Sequence, residues 1–66
     1  MDFAIGIDLG GSSVKSVVVD RVGRLLGQGT SPFDAAAPMD WAARIRAVVE
    51  DYEERQGGKA RWIGLS

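Results

Sequence analysis

The sequence predicts a mixed α/β fold in which three strands in hairpin order precede a helix and a fourth strand. Two apolar segments flank a glycine-rich turn near the N-terminus, and both have the composition of buried strands. A later stretch, residues 41–52, instead carries apolar residues at the helical period. The apolar segment at residues 61–66 predicts the fourth strand. A helix between strands three and four is a crossover connection, and such connections join parallel strands.

The first strand is predicted from Phe3 to Leu9. Ala4, Gly6 and Asp8 alternate with larger apolar residues, so Asp8 lies on the opposite face from those residues. Because Asp8 also falls near the end of the strand, we expect its carboxylate at the mouth of the following loop.

That loop consists of Gly10, Gly11, Ser12 and Ser13. The glycines allow a tight turn and leave backbone N–H groups uncovered, while the serines add hydroxyl donors. Such a turn suits the oxygens of a nucleotide phosphate, and the nearby carboxylate is compatible with a phosphate when Mg²⁺ lies between them. Glycines between apolar strands are also typical of an ordinary hairpin that an aspartate caps, and the residues alone leave both interpretations open.

The second strand is predicted from Val14 to Asp20. Lys15 shares a face with Val17 and Val19 and projects near the turn. A lysine in this position is more typical of an amine that extends to solvent than of a phosphate contact, and both interpretations are kept.

A second turn, from Asp20 to Gly23, precedes a weaker third strand. The Asp20 side chain can accept hydrogen bonds within the turn, and Gly23 can adopt a positive φ. The third strand, from Arg24 to Thr30, contains two glycines, which favour an edge position or a bulge. These glycines do not continue into a dinucleotide fingerprint, and no Walker-type lysine ends a glycine-rich loop, so Rossmann and P-loop folds are excluded.

The segment from Ser31 to Pro38 is predicted to be a connector, and Asp40 is the predicted N-cap of the helix. Five apolar residues at helical spacing predict the face that packs on the sheet: Trp41, Ile45, Val48, Val49 and Tyr52. Gly57 and Gly58 are expected to end the helix.

The composition excludes several classes of function. The chain has 66 residues with no Cys and no His, so disulfides and the usual zinc ligands are missing. The net charge of −1 and the scattered basic residues argue against a nucleic-acid-binding surface. No apolar run approaches the ~20 residues of a membrane span, and the acidic start is unlike a signal peptide. We therefore expect a soluble, cytoplasmic protein with no nucleic-acid or membrane partner.

The segment IGIDLGGSSVKSVVVD, residues 5–20, resembles the phosphate-1 motif of the actin-like ATPase fold. This fold is ribonuclease H-like and is shared by sugar kinases, Hsp70 and actin; within it, the segment is most similar to the ROK family of sugar kinases and repressors. The resemblance implies a glucokinase-like sugar kinase that uses ATP and Mg²⁺ to phosphorylate a sugar hydroxyl. It also implies Asp8 at the metal and Gly10, Gly11 and Ser12 at the nucleotide, whereas Ser13 departs from the family's pattern. Ser13 and Lys15 are further candidate contacts to the nucleotide because of their positions beside the turn.

The order of elements resembles the start of an actin-like domain, which implies that residues 1–66 are the incomplete N-terminal domain of a longer kinase. One helix covers only one face of a parallel-type sheet, which agrees with this expectation. In ROK kinases the catalytic aspartate and a Cys/His zinc motif lie further along the chain, so no catalytic residue is assigned here. We expect homo-oligomers of the complete protein, and we expect residues 1–66 alone to be inactive.

Three alternatives stay open. A ROK transcriptional regulator has the same fold, but such regulators usually carry a helix-turn-helix segment before the phosphate-1 strand, and only two residues precede Phe3 here, which favours the kinase. An actin-like or chaperone ATPase, with no sugar substrate, shares the same opening. A phosphoryl donor other than ATP, such as polyphosphate, would use the same turn.

Overall fold

The computed structural model describes residues 2–66. It contains five elements in the predicted order: β1 (Phe3–Leu9), β2 (Ser13–Asp20), β3 (Leu25–Pro32), α1 (Asp40–Gln56) and β4 (Trp62–Leu65). The β-β-β-α-β order is therefore confirmed. β1 has the predicted bounds, and β2 begins one residue earlier than predicted because Ser13 already pairs with Pro32 of β3.

The four strands form one sheet in the order β3-β2-β1-β4. β2 pairs antiparallel with both of its neighbours, whereas β4 pairs parallel with β1. The crossover helix therefore carries the chain from one edge of the sheet to the other. As a result, the carboxyl ends of β1 and β4 lie at the same edge, where the Leu9 N–H donates to the Ser66 carbonyl oxygen at 2.9 Å.

The helix α1 packs on one face of the sheet, and its predicted apolar stripe is confirmed. Tyr52 is buried, and the four other stripe residues are half-buried: Trp41, Ile45, Val48 and Val49. The most deeply buried side chains of the sheet alternate along β1 and β2 and face α1: Phe3, Ile5, Val14 and Val18. We call the opposite side of the sheet the open face, because no element within residues 2–66 covers it. Val17 and Trp62 are exposed on this face at 41% and 72%.

β3 is an edge strand and its ladder with β2 is irregular, as its glycines predicted. The register shifts between Val18 and Val19, and Leu26 has no partner on β2 at this point. An extra residue on one strand makes a bulge, which bends the strand locally. Edge strands tolerate such a bulge because only one neighbouring ladder is disturbed.

The predicted boundary between β3 and the connector is wrong. The strand runs from Leu25 to Pro32, not from residue 24 to residue 30, because Ser31 still pairs with Val14. The residues of β2 remain available for pairing as far as Ser13, so β3 continues until it reaches the first residue of β2. A proline is acceptable at this last position because an edge strand needs no donor on its outer side.

The predicted N-cap of α1 is also wrong. Met39 is the cap residue, with a left-handed φ of 61°, and no side chain caps the first turn. Asp40 lies inside the helix, and its Oδ2 accepts a hydrogen bond from the Asp34 N–H at 2.7 Å. The carboxylate therefore bonds to the connector and does not cap the helix. The C-terminal prediction is confirmed, since Gly57 adopts a φ of 78° and the N–H groups of Gly57 and Gly58 bond back to helix carbonyls.

The outer side of α1 is polar. Arg55 and Asp51 form an ion pair at 3.0 Å, one helical turn apart. Both side chains are more than half exposed, so this pair adds little to the stability of the fold. In the described part of the chain, no helix has the length and apolar character needed to cross a membrane.

Candidate functional site

The turn between β1 and β2 leaves backbone donors free. The Gly10 N–H donates to the Ser13 carbonyl oxygen at 2.9 Å, which closes the turn. Among residues 2–66, no acceptor takes the N–H groups of Gly11 and Ser12, and both residues are exposed. Of the donors expected from the sequence, that of Gly10 is therefore engaged, and those of Gly11 and Ser12 are available to a ligand.

The two glycines of this turn have different roles. A Cβ atom at Gly10 would lie 3.3 Å from the Ser13 carbonyl oxygen, so a side chain here would shift the closed turn by a few tenths of an ångström. A Cβ atom at Gly11 would meet nothing within 4 Å. Neither glycine has a positive φ. The fold itself therefore does not need glycine at position 11, and its missing side chain leaves room for a ligand.

Asp8 is exposed at the carboxyl end of β1. It pairs directly with Lys15 of β2, so the two side chains share the open face. Within residues 2–66, the Asp8 carboxylate accepts no hydrogen bond and has no ion-pair partner within 4.0 Å. The alternative in which Asp8 only caps the turn therefore has no support from the geometry.

A depression of about 850 Å³ lies on the open face beside this turn. Gly6 and Gly64 pair across β1 and β4 and supply no side chains, so they form a low floor. A side chain at Gly6 would be crowded, since a Cβ atom would lie 3.1 Å from a Val17 methyl carbon, which would have to shift by a few tenths of an ångström. Polar side chains from β1, β2 and β3, together with the residue just after β4, line the depression: Asp8, Lys15, Gln28, Thr30 and Ser66.

Three of these lining residues were missed by the sequence analysis. Thr30 pairs with Lys15 across the ladder, Gln28 pairs with Val17, and Ser66 follows β4 beside the end of β1. Side chains alternate between the two faces of a strand, so Thr30 and Gln28 could have been placed on the same face as Lys15. That placement requires the pairing register between β3 and β2, which cannot be read from the sequence because of the bulge. The signal for Ser66 was the parallel pairing of β1 with β4, which places both carboxyl ends together.

The turn is anchored to the rest of the molecule from the side of β3. The Phe33 N–H donates to the Ser12 carbonyl oxygen at 3.0 Å. Phe33 is half-buried and packs against the hydrophobic core. The carbonyl side of Ser12 is therefore fixed to the core, while its N–H side faces solvent. This arrangement pre-orients the free donors, which lowers the entropy lost when a ligand binds.

The residues at this site can bind Mg²⁺ only through a single carboxylate, with waters and substrate phosphates as the other ligands. Within the described residues, no group of three acidic side chains lies close enough to hold a metal ion. Mg²⁺ commonly keeps several waters and binds through one or two carboxylates plus substrate phosphates, and Asp8 beside the turn meets that need. Zinc does not fit, because the chain has no Cys and no His.

The comparisons with known proteins bear on this geometry. The structure is similar to the crystal structure of a ROK hexokinase from Thermus thermophilus, with a TM-score of 0.75 and 28% sequence identity. The match covers 96% of this chain and 21% of that hexokinase. The fold is therefore that of the N-terminal part of a hexokinase-like protein, and the chain spans about one-fifth of the hexokinase's length. No protein-family model and no curated protein sequence matches the chain.

Proposed function

We propose that residues 1–66 form the nucleotide-phosphate-binding start of an ATP-dependent sugar kinase of the ROK type. One observation carries the proposal: an open turn with free N–H donors at Gly11 and Ser12 lies beside an unpaired carboxylate at Asp8. The structural similarity to a ROK hexokinase supports the same function. The reaction is transfer of the γ-phosphoryl group of ATP to a sugar hydroxyl.

The turn contacts the phosphate oxygens of ATP. The N–H groups of Gly11 and Ser12 donate to them, and the Ser12 hydroxyl adds a third donor. Ser13 is half-buried and contributes less, whereas Gly10 keeps the turn closed. Lys15 is exposed on the open face, one residue from the buried Val14, and its ammonium group balances phosphate charge.

Asp8 holds Mg²⁺ directly or through water. The ion, when bound with ATP, neutralises the phosphate charge that develops during phosphoryl transfer. The carboxylate of Asp8 is suited to this role because no other group of residues 2–66 competes for it. Its exposure also leaves space for the coordinating waters that Mg²⁺ retains.

The sugar site and the general base belong to the part of the kinase that follows residue 66. Ser66 lies at the carboxyl end of β4, beside the end of β1 that carries Asp8. We place the complete kinase in the cytoplasm as a homo-oligomer. Residues 1–66 contain no Cys and no His and therefore supply no ligand of the usual kind for a zinc site.

A coupled assay of ADP release by the complete protein, with and without a panel of hexoses, tests the proposal. Sugar-dependent release of ADP supports it, whereas hydrolysis of ATP without sugar favours an actin-like or chaperone ATPase. Sugar binding without any turnover favours a transcriptional regulator. The same assay with polyphosphate in place of ATP identifies the donor. Residues 1–66 alone are expected to show no turnover, because they contain no general base.

A further inference from the structure

The side chain of Tyr52 ends in a buried hydrogen bond behind the depression. Tyr52, on α1, is 8% exposed, and its hydroxyl lies 2.9 Å from the hydroxyl of Ser16 on β2. The Ser16 side chain is itself buried, and it also donates to the Gly29 carbonyl oxygen of β3 at 3.5 Å. One hydroxyl pair therefore joins the helix to two strands at once.

The Tyr52 ring packs against β3 at two glycines. A Cβ atom at Gly27 would lie 3.6 Å from a ring carbon of Tyr52, and a Cβ atom at Gly29 would lie 3.6 Å from its hydroxyl oxygen. Both distances are ordinary van der Waals contacts, so a methyl group at either position would touch the tyrosine without displacing it. Tyr52 therefore packs closely over β3 at Gly27 and Gly29.

The position of this contact matters because a strand has two faces. Ser16 and Gly29 face α1, so their neighbours along each strand face the depression on the other side. Those neighbours are four of its lining residues: Lys15, Val17, Gln28 and Thr30. The Tyr52 hydroxyl thus lies directly behind the wall that carries Lys15 and Thr30.

We propose that Tyr52 is a positioning residue that holds β3 against β2 and so fixes Lys15 and Thr30 at the nucleotide site. The inference rests on the proposed function, and it adds a residue from the covered face of the sheet to that site. β3 is a glycine-rich edge strand with a bulge beside Val18, so within residues 2–66 its ladder with β2 is the only one that holds it in the sheet. Loss of the hydroxyl pair makes β3 open from β2 more often, and each opening displaces Thr30 from Lys15.

The test compares Tyr52→Phe, Ser16→Ala and their double variant in the complete protein. Native-state hydrogen exchange reports on the opening of residues 27–31 of β3, with residues 3–7 of β1 as the reference. Val48→Ala is the matched control, because Val48 lies on the same helix face, is half-buried and bears no hydroxyl. A second readout is the Kd for Mg·ATP, measured with kcat.

Tyr52→Phe is expected to raise the opening of β3 roughly fivefold, the effect of losing one net hydrogen bond, while β1 is unchanged. Ser16→Ala is expected to act similarly, and the double variant to be no worse than either alone, because both substitutions remove the same bond. Val48→Ala is expected to affect both strands equally. The Kd for Mg·ATP rises more in Tyr52→Phe than in Val48→Ala, with kcat unchanged.

Equal opening of β3 and β1 in Tyr52→Phe, or no opening, would overturn the inference. Selective opening of β3 with an unchanged Kd for Mg·ATP would also overturn it, because the strand would then not matter to the site. These results differ from failure of the proposed function, in which the wild-type protein itself does not bind Mg·ATP. In that case the exchange comparison still decides whether Tyr52 holds β3.

Discussion

Two hairpin turns of the same sheet use the same residue types in opposite ways. Each has an aspartate before it and a glycine within it. In the turn after β2, Asp20 Oδ1 accepts hydrogen bonds from the N–H groups of Val22 and Arg24 at 3.0 and 2.9 Å. Gly23 adopts a φ of 86°, which only glycine does without strain. This turn satisfies its own backbone.

The turn after β1 does not satisfy its own backbone. Asp8 accepts none of the N–H groups of Gly11 and Ser12, which also find no other acceptor within residues 2–66. Gly11 has no positive φ and no close neighbour, so the backbone does not need its conformational freedom. The comparison teaches that an aspartate and a glycine at a hairpin indicate a binding site only when the turn leaves them unused.

Asp8→Asn is expected to give the largest effect of the four substitutions that test this comparison. In the complete protein, kcat falls by about 10²-fold, because the charge that places Mg²⁺ is lost. The melting temperature without nucleotide stays near that of the wild type, because Asp8 is exposed and makes no bond in the described structure. Stabilisation by Mg·ATP weakens. Steady-state kinetics and thermal melts with and without Mg·ATP measure all three; wild-type turnover in this variant would refute the role of Asp8.

Gly11→Ala is expected to raise the KM for Mg·ATP by about tenfold, because the new methyl group occupies the approach of the phosphate to the backbone. Its melting temperature without nucleotide does not fall, because a Cβ atom there meets no protein atom within 4 Å. A variant that loses stability but keeps the wild-type KM would show that Gly11 serves the fold and not the ligand.

Gly23→Ala is the counterpart in the other turn. It is expected to destabilise the fold by about 1 kcal/mol, because alanine at a φ of 86° is strained. The KM for Mg·ATP of the folded protein does not change. Urea unfolding together with kinetics separates the two effects, and a raised KM would show that the second turn also reaches the nucleotide.

Asp20→Asn is expected to have the smallest effect, below ~0.5 kcal/mol on stability, because asparagine keeps the Oδ1 acceptor that the turn uses. Turnover is unchanged. Since Asp8→Asn and Asp20→Asn remove the same charge, comparing them shows whether the position of the charge matters for turnover. A fall of kcat here that matches the one at Asp8 would point to general electrostatics and away from a local metal site.

Much of the fold could be predicted because local signals agree with the tertiary structure. The large apolar residues that alternate along β1, Val14 and Val18 of β2, and the stripe on α1 all face the core as expected. The edge position of β3 followed from Gly27 and Gly29. The end of β3 and the start of α1 could not be predicted, because partners distant in sequence decide them: the ladder with β2 extends β3 to Pro32, and Asp34 takes the carboxylate of Asp40.

The candidate site could be predicted only in part. Asp8 and the turn at residues 10–13 stand out because glycines and a lone carboxylate interrupt apolar strands. Thr30 and Gln28 do not stand out, because their place beside Lys15 depends on the register of a bulged ladder. The contact of Tyr52 with Ser16 joins residues 36 positions apart, and a stripe of apolar residues gives no sign of it.

The central claim is that the first turn binds phosphate and the second does not. Its most direct test is an NMR titration of the complete protein with Mg·ATP, which follows the amide signals of Gly11, Ser12, Val22 and Arg24. We expect the Gly11 and Ser12 signals to shift with saturation, while those of Val22 and Arg24 stay in place because their N–H groups already donate to Asp20. The shifts shrink in Asp8→Asn. Saturable binding that leaves Gly11 and Ser12 unshifted, or shifts both turns alike, would contradict the claim.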